Sequence, residues 1–331
     1  MRKLVLFGAV AIALVAALLL AAQLSPWPKV MAIRMVFDHG ARQAMRALEP
    51  RLPDGIDRRR DLAYGPESGE TLDLFLPSGA APPGGWPVVL WVHGGAFVSG
   101  SRRNVGNYLQ ILAAEGYATV APDYALAPSR THPRPTEQIL EALLWLEGAA
   151  DDHGLDRRRI VLAGDSAGGH IALQTAIALR DPAYAAALGL SPRSDPAAIR
   201  GLALFCGAYD LRGMDADGAF AGFLDTVLWA YLGHSPPSDA PDSALFSLFD
   251  HLPGTLPPLF VTAGNADPLQ SQSLLLAEEA RRRGIAVDTL FFPADRQPPL
   301  GHEYQFTLDD AGEEAFARLT AFLDRVMAIP E

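Results

Sequence analysis

The chain has 331 residues, 49% of them hydrophobic, and a net charge of −11. That is apolar material for one large α/β domain or two small ones, and the acidic balance, with no basic cluster interleaved with aromatics, argues against a nucleic-acid partner. Lysine occurs only at Lys3 and Lys29, and Cys206 is the one cysteine. The body of the protein therefore has no P-loop lysine, Schiff-base lysine, Ser-Lys dyad, disulfide or cysteine-rich zinc site. The eight histidines form no HxH or HxxxH pair to suggest a metal.

From Leu4 to Ala22 there is no charged or strongly polar side chain, a run of about 19 residues, near the minimum that spans a bilayer. Leu20 and Ala22 are a poor fit to an A-x-A-like cleavage site. Residues 1–28 are read as an uncleaved membrane anchor, with a cleaved signal peptide and a buried helix as alternatives. With so short a leading tail, the expected orientation puts the catalytic domain outside the cytoplasm, membrane-anchored or secreted.

Within residues 29–60, Val30, Ile33, Phe37, Ala41, Ala44 and Leu48 recur at steps of three and four, the signature of one helix face. This helix either packs on the domain or is a lid or membrane-lying helix beside the active site. "EPRLPDG" ends it, and strands then alternate with helices through residues 61–331. "TLDLFLP" alternates as an edge strand would. "WPVVLWV", Trp86 to Val92, is a nearly continuous apolar run, as expected of a strand buried on both faces. Next come helix "VGNYLQILAAEGY", strand "ATVAPDY", helix "EQILEALLWLEGAA", strand "RIVLAGD", helix "AGGHIALQTAIALR" and strand "GLALFCG". After a long interruption follow strand "PPLFVTAG", helix "QSLLLAEEARRRG", strand "VDTLFFP" and a closing helix from Ala311 to Met327. The alternation predicts one mostly parallel sheet covered on both faces. The interruption, about 208–256, far exceeds the usual two to six residues of such a connection. Its aromatics, Phe220, Phe223, Trp229 and Tyr231, suggest a helical cap over something apolar.

The chemistry centres on "GDSAGG". A buried strand ends at Asp165 and a helix restarts at Ala167, so Ser166 falls on a sharp strand-to-helix turn, with Gly164 and Gly168 keeping the crowded backbone clear. About seventy residues upstream, "VVLWV" ends in "HGGAF". The amides of Gly94 and Gly95, with that of Ala167, are the candidate oxyanion donors. His93 is assigned to positioning that loop, and Asp165 to holding loop and turn together. A serine needs a base, and the base an orienting acid. In chain order Ser, acid, His, the base is His302 in "GHEYQF". His170 lies on the serine's own helix, and His234 and His251 fall in the cap. The acid is Asp267, in the loop after "PPLFVTAG", with Asp295 in reserve. Glu303 is read as a solvated neighbour of the base.

"VHGGAF", "DYALAPSRTHPRP", "GDSAGG", "AGNADPL" and "GHEYQF" stand in the order and spacing of the hormone-sensitive-lipase-like carboxylesterases, which the chain resembles over residues 60 to 327. The resemblance implies an α/β-hydrolase fold with a cap built partly from the N-terminal helix. It also implies a carboxylic ester hydrolase without cofactor, using Ser166, Asp267 and His302 as triad and Gly94, Gly95 and Ala167 as oxyanion donors. The expected substrate is a small-molecule ester of short to medium acyl chain, with amide, formamide or cell-envelope glycan deacetylation as alternatives. The chain departs from the pattern at Ala96, where a third glycine is usual, at Ser129, where a glutamate is usual, and after Asp267, where a further acid is often found. The last two bear on substrate preference.

Overall fold

The computed structural model describes residues 2–212, 214 and 218–328. The parts of the expected anchor, cap and catalytic domain on residues 1, 213, 215–217 and 329–331 lie outside the described residues. Two helices, α1 (Arg2–Leu24) and α2 (Trp27–Leu48), lead into β1 (Asp57–Ala63), β2 (Thr71–Leu76), β3 (Trp86–Val92), α3 (Gly106–Ala113), β4 (Ala118–Pro122), α4 (Arg134–His153) and β5 (Leu155–Asp165). There follow α5 (Ala167–Arg180), α6 (Pro182–Ala187), β6 (Ile199–Phe205), α7 (Gly218–Leu232), α8 (Ser243–Phe246), β7 (Leu259–Ala263), α9 (Gln270–Arg282), β8 (Val287–Phe291) and α10 (Asp310–Met327).

The strands form one sheet in the order β1-β2-β4-β3-β5-β6-β7-β8. β1 and β2 pair antiparallel, as do β2 and β4, and the other pairs are parallel. The apolar runs read from the sequence are explained by this geometry. Along a strand, side chains alternate between faces. Val88, Leu90 and Val92 of β3, with Ile160 and Leu162 of β5, face one core, which Ile171 of α5 and Leu276 of α9 also enter. Val89, Trp91, Val161 and Ala163 face the other, against Tyr108 and Leu112 of α3 and Phe322 of α10. Both sets of side chains are buried, so unpaired polar residues are disfavoured there. At roughly 25 cal/mol per Å² of apolar area, this burial is the main force that closes the fold.

One expectation needs correction. β2 is not an edge strand: it lies between β1 and β4. The edge is β1, "DRRRDLA", which the hydropathy pattern hid because its side chains are mostly charged. Charge on an edge strand discourages pairing with another chain. The polar position of β2, Asp73, is buried and paired with Arg102, whose guanidinium also meets Asp61 and Asp123.

The expected apolar run Leu4–Ala22 lies within α1, where Phe7, Ile12, Leu14, Leu19 and Leu24 are exposed. Among the described residues no single helix is long and apolar enough to cross a membrane. One bent pair, Ile12–Leu24 with Trp27–Arg51 at 95°, would be by length and composition. In the expected cap region the described residues form α7, α8 and short 3-10 turns, and α7 lies against α2.

Candidate active site

The parallel strands deliver their C-terminal ends to one edge of the sheet, where open α/β sheets bind ligands. β5 ends at Asp165, and α5 begins at Ala167. Between them Ser166 takes φ 52°, ψ −121°, a conformation that costs energy for any residue with a Cβ. It is held by its amide, which donates to the Phe205 carbonyl at 2.8 Å, and by steric pressure from both sides. A Cβ on Gly168 would stand 2.0 Å from the Val92 carbonyl oxygen, and one on Gly164 would stand 2.6 Å from the backbone of Gly168.

β7 places Asp267 and the loop after β8 places His302 beside this turn. Both carboxylate oxygens of Asp267 lie within reach of His302 Nδ1, at 3.0 and 2.9 Å. A carboxylate can only accept, so Nδ1 carries the proton and Nε2 is left as the basic nitrogen. Asp267 is itself fixed by the Leu269 amide at 2.8 Å. Ser166 and His302 line one cavity, and the serine hydroxyl makes no hydrogen bond among the described residues. Asp295 is exposed and apart from this pair. His170 is fully buried with Nδ1 on the Ala208 carbonyl at 2.8 Å, its ring stacked on Phe246. Burial drops its pKa to about 3, so it stays uncharged. His234 and His251 sit in the cap region, bonded to the Leu232 and Ala244 carbonyls.

The loop after β3 departs from expectation at one residue. The Gly94 amide donates to Asp165 Oδ2 at 2.8 Å, so it is spent and is not an oxyanion donor. The amides of Gly95, Ala96 and Ala167 line the cavity and donate to nothing among the described residues. Ala96 takes φ 54°, the conformation for which a glycine would be the usual choice. The shift by one residue follows from Asp165: a buried carboxylate must be satisfied, and its donors are the Gly94 amide and Trp91 Nε1 at 2.6 Å. Asp165 thus ties the Ser166 turn to the loop. His93 is buried, donates from Nδ1 to the Gly94 carbonyl at 2.7 Å and stacks on Tyr124, whose hydroxyl donates to the His93 carbonyl at 2.8 Å. Burial lowers its pKa, so it remains a neutral brace.

Two neighbours of the base escaped the sequence reading. Glu303 is not simply solvated: Oε1 stands 3.9 Å from His302 Nε2, and it lies on the same side of Gly94 as the Asp165 carboxyl. Burial, then the charge of Glu303, drive the Asp165 carboxyl well above its ordinary range. Cys206, at the end of β6, brings Sγ within 4.8 Å of ligand atoms of Asp267 and His302. Such a trio could hold a metal only by giving up the Asp267–His302 hydrogen bond and ionising the thiol, which burial pushes up to about 11. Burial also opposes charge on His302, but Cys206, Asp267 and Glu303 prevail and raise its pKa well above the ordinary value.

The cavity holds about 700 Å³. Ser166, His302 and the loop form its polar part. Phe37, Ala41 and Ala44 of α2 and Phe220, Phe223 and Val227 of α7 supply apolar wall, with Phe223 packed on both Phe37 and Phe220. On the helix face predicted from spacing, Val30 and Leu48 are buried against the domain, and Phe37, Ala41 and Ala44 line the cavity.

Known proteins share this architecture. A solved esterase from the archaeon Pyrobaculum calidifontis is 25% identical, with TM-score 0.72 over 90% of this chain and 94% of that one. Esterase B from Lactobacillus rhamnosis is 23% identical, with TM-score 0.77 over 90% and 95%. Esterase LipC from Mycobacterium tuberculosis is 33% identical over 177 residues, a stretch that covers 51% of this chain and 42% of that protein. The matched stretch is thus less than half the length of that curated relative. A family model described as the alpha/beta hydrolase fold matches residues 89–295, a span that includes Ser166 and Asp267 and ends short of His302. With that match over more than half its length, the chain belongs to the hormone-sensitive-lipase-like carboxylesterase family of the alpha/beta hydrolase fold.

Proposed function

We propose that the protein hydrolyses carboxylic esters of short to medium acyl chain through an acyl-enzyme. The observation that carries this reading is the strained Ser166 turn opening, with His302 and its Asp267 partner, into a largely apolar cavity of about 700 Å³. Nε2 of His302 takes the Ser166 proton as Oγ attacks the ester carbonyl, and Asp267 holds the imidazolium that forms. The amides of Gly95, Ala96 and Ala167 receive the oxyanion, the last at a helix N-terminus that favours negative charge. The proton then passes from Nε2 to the departing alcohol, and a water repeats the sequence to release the acid. The exposed apolar side chains of α1 support a membrane tether for this enzyme, and the catalytic domain is assigned to the extracytoplasmic side.

The test is hydrolysis of p-nitrophenyl esters from acetate to palmitate. Activity should peak at short to medium chains and fall off where the acyl group outgrows the wall of α2 and α7. Phe223→Ala should move the optimum to longer chains, raising the octanoate-to-acetate ratio of kcat/KM roughly tenfold, the scale of a one-to-two-methylene discrimination. An unchanged ratio would place the acyl group elsewhere.

The acid limb of the pH profile should reflect His302. Its pKa is raised, so activity, which needs the neutral ring, should be lost as pH falls through a value above that of an ordinary imidazole. Glu303→Gln removes negative charge 3.9 Å from Nε2, destabilises the imidazolium and should shift that limb to lower pH. A limb that stayed in place would show that Glu303 does not act on the base.

A further inference from the structure

We propose that the first half of α2 beds into a lipid surface, so that the cavity takes a membrane-dissolved ester directly from the bilayer. This rests on the esterase reading and names the substrate class of that same site. The outward side of α2 changes character along its length. Trp27, Met31, Met35 and Val36 are 41%, 49%, 68% and 68% exposed, whereas the following turns present His39, Arg42, Gln43 and Arg46. The cavity wall begins where one half gives way to the other, at Val36 and Phe37. A cavity mouth therefore sits at an apolar-to-basic boundary, the profile of a helix lying in a membrane interface.

Three observations select lipid as the occupant. The bare half of α2 is continuous with α1, whose exposed apolar side chains also need cover, and the two helices meet at 95°. With α1 directed into the apolar layer, α2 lies along its surface. Residues 1–48 carry six basic side chains and one acidic one in a chain of net charge −11, so this end complements anionic headgroups. Lastly, the inner side of α2 is fastened to the loop that carries the free amides. Arg34 donates to the carbonyls of Val98 and Ala127 at 2.6 and 3.0 Å, and Ser99 donates to Asp38 at 3.1 Å. The helix is thus docked through polar bonds while its apolar outer half is left uncovered, a combination that is costly in water and favourable in lipid.

The test uses the full chain reconstituted in phosphatidylcholine vesicles with one-fifth phosphatidylglycerol, and compares 4-methylumbelliferyl oleate dissolved in the bilayer with p-nitrophenyl butyrate in solution. Neither Met31 nor Met35 lines the cavity. The double variant Met31→Glu, Met35→Glu should lose at least tenfold on the bilayer ester and keep its rate on the soluble one. Equal losses on both esters, or none on either, would overturn the proposal. A readout independent of activity is quenching by brominated phosphatidylcholine: the wild type should show a component that Trp27→Phe removes, and no such component would also overturn it. A dimer in detergent that the double variant splits would assign the stripe to a second copy instead. Failure of wild type on the soluble ester, with Trp27 quenched, would sink the esterase reading and leave the membrane contact standing.

Discussion

Ser166→Ala is expected to lower kcat/KM on p-nitrophenyl esters by roughly 10⁵-fold, because the nucleophile and its base act as a unit and removing one forfeits nearly all of their joint contribution. The variant keeps the Cβ and so keeps the strained φ of 52°. The hydroxyl it deletes makes no hydrogen bond among the described residues. Stability should therefore change by no more than about 0.5 kcal/mol, which separates loss of chemistry from loss of fold. The amides of Gly95, Ala96 and Ala167 remain, so a small residual rate above background is part of the expectation. If wild type and variant hydrolysed the esters equally, Ser166 would not be the nucleophile and the proposed mechanism would fall.

The second large effect is on folding. Gly168→Ala places a methyl group 2.0 Å from the Val92 carbonyl oxygen and 2.6 Å from that of His93. Both are backbone atoms at the end of β3, a strand hydrogen-bonded on both sides, so neither can rotate away as a side chain would. Relief requires α5 and β3 to separate. That would drag the Ser166 turn from the His93–Gly95 loop and strain the Gly94–Asp165 bond of 2.8 Å. Overpacking at a site that cannot yield costs about 3 kcal/mol. The expectation is a lowered urea midpoint together with loss of activity. A variant as stable as wild type would mean that the turn is more pliable than the close contacts imply.

The Asp165–Glu303 pair shows where sequence reasoning stopped. Glu303 follows His302 and, by position alone, was a solvated neighbour. Its αL conformation, φ 60°, turns the side chain inward, and only the packed loop shows that it meets Asp165. The same holds for Gly94 and Ala96. Two successive glycines after a buried strand point to amides near a ligand, but the strand-to-loop geometry decides which amide faces the cavity and which is consumed by Asp165.

The sequence by itself determined the sheet-forming strands from β2 onward, helices α3, α4, α5, α9 and α10, and the serine turn, and it put Asp267 and His302 forward as acid and base. Each rests on a local or order-based signal: buried strands on both faces leave unbroken apolar runs, helices leave a 3.6-residue period, and a tight turn demands small residues. Tertiary structure alone decided the rest. β1 is held as a charged edge by pairing with β2, not by hydropathy. Cys206 reaches the His302–Asp267 pair because β6 and β7 lie side by side in the sheet. The cavity exists because α2 and α7, about 180 residues apart in the chain, close over the same strand ends. Such contacts are fixed by packing between distant segments, and no periodicity within either segment encodes the partner it will meet.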